Sequence, residues 1–284
     1  MKVLNPKAIY TIAKKEFMDN IRNKWIILLT LIFVILIIVF SYLAGGQSGE
    51  GDVFGGLQNT VFGLVGISSL LIPLIAIILG FSTISGEAES GALYVILSYP
   101  VKRVEVLIGK LLGLGSVIIF SIFLGFGLGG IIIMASYGAE AWGGYLSFIV
   151  LSIFLGFIYL SLSICISSFC KKRVTSIGGG ILIFFWGLIY GSIVLGILFG
   201  SGYSFEDFQT GNVPDWFFNS VVFSPGDAHQ TAVQIAFGVR NIEAMGFSIE
   251  IPEFLSMEML LIVHFIWFII PLILAYFFFK RRDL

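Results

Sequence analysis

Residues 85–110 read SGEAESGALYVILSYPVKRVEVLIGK, a polar-studded stretch between two strongly apolar ones. Glu87 and Glu89 come first. Ala92, Leu93, Ile96 and Leu97 follow, and at helical spacing they share one face. Ser90, Tyr94 and the two carboxylates fall elsewhere on that helix. Pro100 cannot continue it and drives Tyr99 toward extended backbone. Lys102 and Arg103 then stand at the mouth of the next apolar run. The stretch reads as a short amphipathic helix lying against a membrane, with one side free for a partner. Periodicity alone fits a plain connector between two spans equally well.

The rest of the chain supplies the membrane. Of 284 residues, 58% are hydrophobic and only 12% charged, with a mean hydropathy of +1.03. Soluble domains are nearer half apolar and a quarter charged. A chain this apolar needs the bilayer as solvent. Six runs are long enough to cross it, at 25–43, 61–84, 104–136, 144–169, 176–199 and 257–279. The third exceeds one crossing, so its ends are expected outside the hydrocarbon or the helix tilts. Every Lys and Arg except Arg240 falls on one side of this layout. By the excess of basic residues in cytoplasmic segments, that side is the cytoplasm and both termini lie there. The fold class expected is all-α: a polytopic membrane protein with six transmembrane helices, an N-terminal amphipathic interfacial helix over 1–24 and the short cytoplasmic helix within 85–103. A single domain over 1–284 is expected, in the cell membrane.

Asn5–Asn23 is the amphipathic helix: Ile9, Ala13, Phe17 and Ile21 form a stripe, with Lys7, Lys14, Lys15 and Arg22 mostly off it. Asn5 is placed to cap it and Pro6 to open it. Residues 44–56, with Glu50 and Asp52, read as an external loop. Pro73 is expected to kink the second span. Gly109, Gly113, Gly125 and Gly129 in the third span, and Gly187 and Gly191 in the fifth, let backbones approach closely. Packing within one subunit is the better reading for the third span. The fifth is expected to contribute to a subunit interface or a path, with Tyr190 and Pro73. Residues 200–256 form an acidic, aromatic-rich external segment. Within it Ser224-Pro225-Gly226-Asp227 starts a helix that runs to about Phe237 and ends at Gly238.

Enzymatic chemistry finds little support. Gly109-Lys110 is preceded by Val104 where a P-loop needs glycine and followed by Leu111 where it needs Ser or Thr. HExxH is absent, and net charge near zero gives no reason to expect nucleic acid. No metal site is expected. Cys165 and Cys170 read as small apolar filler. His229 is expected outside the membrane and His264 inside an apolar helix, with packing as its default role. Glu105 and Lys110 are expected to snorkel to water. Gln58, Asn59, Ser68, Ser69, Thr83, Tyr190 and Ser192 are candidate polar groups along a path. Met245, Met257 and Met259 offer thioethers that suit soft metal, though methionine is more often filler.

The pattern E-x-E-S-G-x-L-x-x-x-L-S-Y-P-V-x-R-x-E-V-L-x-G-K resembles the coupling segment of the type-2 ABC exporter permeases. That family includes drug, polysaccharide and antibiotic exporters and the permeases of nitrous oxide reductase maturation. The resemblance is specific over 86–113 and looser over the rest, through helix order and the basic N-terminal helix. It implies that Gly86, Glu87, Glu89, Ser90, Gly91, Leu93, Tyr94 and Leu97 contact an ATPase. It implies a connecting helix carrying Lys14, Lys15, Phe17 and Arg22. It also implies two cytoplasmic ABC ATPase subunits that hold ATP and Mg, a second copy of this chain, and a setting in membrane lipid. An extracytoplasmic accessory protein is a further partner class. Two other classes stay open. An ATP-independent secondary transporter would show ionisable residues in mid-span, or inverted repeats with broken helices. An intramembrane enzyme would show clustered His, Asp or Ser. The sequence offers little of either.

Overall fold

The computed structural model describes residues 4–46, 53–137, 142–210, 212–244 and 247–282. Helix α1 spans Pro6–Ile21, α2 Lys24–Gly46 and α3 Val53–Gly80. Two short helices follow, α4 Ser85–Glu89 and α5 Ala92–Ser98. Then come α6 Arg103–Tyr137, α7 Trp142–Phe169 and α8 Arg173–Gly200. The segment after α8 holds α9 Phe205–Gln209, α10 Asp215–Asn219, a 3-10 turn Ser220–Phe223 and α11 Pro225–Ala236. Strands β1 Asn241–Ala244 and β2 Phe247–Glu250 pair antiparallel, Asn241 opposite Glu250, before α12 Met257–Arg281. Six of these helices (α2, α3, α6, α7, α8 and α12) are long and apolar enough to cross a membrane. The architecture is all-α apart from that small strand pair, which alternation in the sequence did not announce.

Local signals set the helix ends. The Asn5 side chain accepts from the backbone N–H groups of Lys7 and Ala8, and Pro6 opens α1. The Ser224 side chain accepts from Asp227 N–H, Pro225 opens α11, and the chain leaves through Gly238 at φ +73°. Both starts agree with the sequence reading. The single helix expected over residues 85–99 is instead two. Gly91 adopts φ +79°, a left-handed conformation open to glycine, and breaks it. Tyr99 is extended as Pro100 requires (ψ 158°).

The bundle is layered around α3 and α7, the two most buried spans. Helix α2 lies on α6 and α3, and α12 lies along α7. An aromatic column crosses the layers, Phe33 to Phe126 at 5.2 Å and Phe126 to Phe148 at 4.5 Å between centroids. Pro73 lies buried inside an α3 that continues through it, so it packs within the chain and does not line an exposed subunit face. Helix α8 sits at the edge, with Ile181, Leu182, Phe185, Ile189, Ile193 and Ile197 uncovered.

Two glycines of α8, Gly187 and Gly191, each meet another element of the chain. A side chain at Gly187 would run into the Tyr159 hydroxyl of α7, and one at Gly191 would meet the Asp227 carboxylate of α11. Both therefore seat elements of their own chain. The third-span glycines do the same: Gly125 and Gly129 receive Phe33 and Ile37 of α2.

Candidate functional site

The basic ends of the spans converge with α1, α4 and α5. Helix α6 is 35 residues long, about 52 Å at 1.5 Å per residue, against about 30 Å of hydrocarbon. It is longer than one upright crossing needs, and α1 packs along its first turns. Gly109 and Gly113 form the seat. A Cβ at Gly109 would stand 2.8 Å from Ile12, and one at Gly113 would stand 2.5 Å from the Ala13 carbonyl. Phe17 packs its partly buried ring against the core, while Lys14 and Arg22 face outward.

Charge locks this seat. Lys110 has no exposed side-chain surface. Its ammonium lies 2.8 Å from Glu16 Oε1 of α1 and 2.7 Å from Glu87 Oε1 of α4. Lys15 reaches the same carboxylates at 3.4 and 3.6 Å, and Asp19 at 3.4 Å. A fully desolvated ammonium is tolerable only with such partners. Burial pulls Lys15 down, but Glu16, Glu87 and Asp19 outweigh it and hold its pKa above the ordinary lysine value. That contribution is present below the ordinary lysine pKa and is lost as pH rises through the raised one. One level below, Glu105 ties the starts of α1 and α6 together. It accepts from Asn5 N–H at 2.8 Å and from Lys102 N–H at 2.8 Å. Glu105 and Lys110 thus do not snorkel to water; both are buried and paired within the chain.

The other spans are tied to the same region. Ser167 Oγ of α7 accepts from the backbone N–H groups of Ile84 and Ser85, each at 3.0 Å. Glu89 accepts from Arg173 N–H at 2.8 Å, joining α4 to the first turn of α8. The Arg103 guanidinium donates to the carbonyls of Phe279, Lys280 and Arg282, closing the end of α12. Arg282 in turn donates to Ser167, Ser168, Cys170 and Lys171 carbonyls at the end of α7. Cations at helix C-termini satisfy open carbonyls and the negative end of the dipole.

This geometry changes the role of several predicted contacts. Leu93 is fully buried in this chain's own core, so it is no exposed knob. Leu97 packs partly buried beside it. Glu87 is spent on Lys110 and Lys15, and Glu89 on Arg173. Ser90 is exposed with its hydroxyl turned to the Glu87 carbonyl, and Gly86 packs near Ser82 and Arg173. What remains outward is Tyr94, Val95 and Tyr99, at 52%, 62% and 65% exposure. Periodicity showed the apolar stripe but not which face the chain itself would cover.

The remaining candidates do not share one place. Ser68 is buried against the Val65 carbonyl, Ser69 and Thr83 have buried hydroxyls, and Ser192 is exposed on α8. Met257 and Met259 pack partly buried against the core. Met245 lies outside the described residues, as do the side chains of Gln58 and Asn59 and residues 47–52. His229 is wholly buried within the chain, 6.4 Å from His264 between ring centroids. Among the described residues no group of three or more His, Cys, Asp or Glu is gathered for a metal ion.

The sequence of residues 10–284 matches the family described as "ABC-2 family transporter protein". The chain belongs to that family. It is 32% identical over 196 residues to the "Probable ABC transporter permease protein NosY" of Pseudomonas aeruginosa, covering 67% of this chain and 71% of that protein. To the protein of the same description from Stutzerimonas stutzeri it is 26% identical over 284 residues, covering 96% of this chain and 98% of that protein. This ABC-2 family member is therefore a multi-pass permease subunit of an ABC transporter, and not an enzyme in its own right.

Proposed function

We propose that this permease is half of an ATP-driven exporter in the cell membrane, with both termini cytoplasmic. Two copies form the substrate path, and two copies of a separate cytoplasmic ATPase, holding ATP and Mg, drive it. The uncovered apolar face of α8 supplies the subunit contact, with Ile189 and Ile193 outward while Gly187 and Gly191 meet elements of the same chain. The observation that carries the reading is Lys110: wholly buried on α6, it binds α1 through Glu16 and α4 through Glu87. A push on the cytoplasmic helices therefore cannot move α4 alone; it reaches α6 through a charged joint that is costly to open.

The ATPase docks on Tyr94, Val95 and Tyr99 of the α5 surface. Exposed aromatic side chains beside small polar ones suit a partner groove, with affinity concentrated in the rings. Val95→Asp combined with Tyr99→Ala should leave the permease monodisperse, because both positions are exposed. Pull-down of the ATPase and permease-stimulated ATP hydrolysis should both fall by at least about tenfold. Wild-type values of both in that variant would move the docking surface elsewhere. A secondary transporter gains one observation, the buried His229–His264 pair. Transport that persists in a hydrolysis-dead ATPase complex would favour it.

A further inference from the structure

At the end of the spans away from the basic cluster, a groove of about 230 Å³ opens between α8, α10 and α11. Gly191, at its edge, stands 18 residues beyond Arg173, about 27 Å along α8. That depth places the groove near the far membrane boundary. Tyr190, Phe217 and Phe218 give it aromatic walls, and Asp227, Gln230 and Gln234 give it polar ones. The Tyr190 hydroxyl donates to the Ser220 carbonyl at 2.8 Å, and the Trp186 ring backs it at 4.9 Å, so this wall is held in place. Glycine at 191 lets the Asp227 carboxylate lie against α8: a Cβ there would stand 3.3 Å from Oδ1.

Among the described residues no lysine or arginine lines the groove, and although the Ser224 side chain serves the carboxylate, Asp227 Oδ2 is buried with no hydrogen-bond partner. The first turn of α11 offers the carboxylate little: Pro225 has no N–H, and the N–H groups of Asp227 and Ala228 already donate to Ser224. A buried acceptor without a donor is costly, and a cation carrying N–H groups removes that cost. Aromatic faces attract the same charge. The volume admits one small amine or a single headgroup. We infer that this groove binds a primary ammonium, held by Asp227 and faced by Tyr190, Phe217 and Phe218. The inference goes beyond the transport reading and does not depend on how the ATPase is coupled.

The test uses the full chain in phosphatidylcholine nanodiscs, titrated calorimetrically with phenethylammonium and, separately, with the neutral isostere 2-phenylethanol. The ammonium should bind saturably and the alcohol should not. Asp227→Asn should weaken ammonium binding by about tenfold or more. Phe217→Leu, which keeps bulk but removes the π face, should weaken it several-fold and serves should the first variant not fold. Nanodiscs containing phosphatidylethanolamine separate two sources. A raised apparent Kd in the wild type but not in Asp227→Asn means a lipid headgroup reaches the groove; an unchanged Kd means a soluble amine is the ligand. Equal binding of ammonium and alcohol, or unchanged ammonium affinity in folded variants, would overturn the inference.

Discussion

Lys110→Met should destabilise the permease by about 3–5 kcal/mol, the cost of breaking a buried ion pair by removing one partner. The Met side chain fills similar space, so packing alone would predict a small effect. Electrostatics predicts a large one. Glu16 and Glu87 would face each other across the vacated position, with only the half-exposed Lys15 to offset them. Helix α1 would loosen from its seat on Gly109 and Gly113, and α4 from α6. The measurement is the thermal midpoint of the purified chain in detergent, with the yield of monodisperse protein. Adding Glu16→Gln and Glu87→Gln to the same variant should recover most of the loss, because neutral side chains leave no uncompensated charge. A single variant as stable as the wild type would show that the three groups are not ionised together.

Leu93→Asp should be the most damaging change in the cytoplasmic segment, and through folding, not through the partner. Leu93 has no exposed surface. Its replacement removes a buried apolar side chain and inserts a carboxylate with no donor opposite it. The combined loss is about 4 kcal/mol or more. Limited proteolysis should cut near residues 85–100 in this variant and spare the wild type. Tyr94→Asp, one residue along on the outward face, should leave the proteolytic pattern unchanged and weaken only ATPase capture. If Leu93→Asp resists protease as the wild type does, the segment is packed more loosely than its burial implies.

The parts of the molecule written in local chemistry were legible in advance. Span positions follow from composition. The starts of α1 and α11 follow from Asn5-Pro6 and Ser224-Pro225, and the end of α11 from Gly238. The short cytoplasmic segment over 85–100 was recognisable as amphipathic, and Pro100 did stop a helix. What stayed hidden were the pairings between distant positions. Glu16 and Lys110 are 94 residues apart, and nothing in the periodicity of either helix announces the other. A lysine near the end of an apolar run reads by default as reaching for water. Only the approach of α1 to Gly109 and Gly113 closes that route and turns the ammonium inward. The same limit applied to Leu93, whose stripe was visible while its cover was not. It applied again to Gly187 and Gly191, where small residues signal close approach without saying to what. Gly91 was read as part of one helix although a glycine just past a helix end is a local stop signal, and at φ +79° it ends α4.

The coupling claim rests on the charged joint among α1, α4 and α6, and permease-stimulated ATP hydrolysis by the neutral triple variant K110M/E16Q/E87Q tests it most directly. The triple variant keeps the apolar seat of α1 and the outward α5 surface, so it should fold and capture the ATPase as the wild type does. It should lose most of the stimulation, because the push on α4 no longer reaches α6. A triple variant that folds, captures the ATPase and stimulates hydrolysis at the wild-type level would contradict the account.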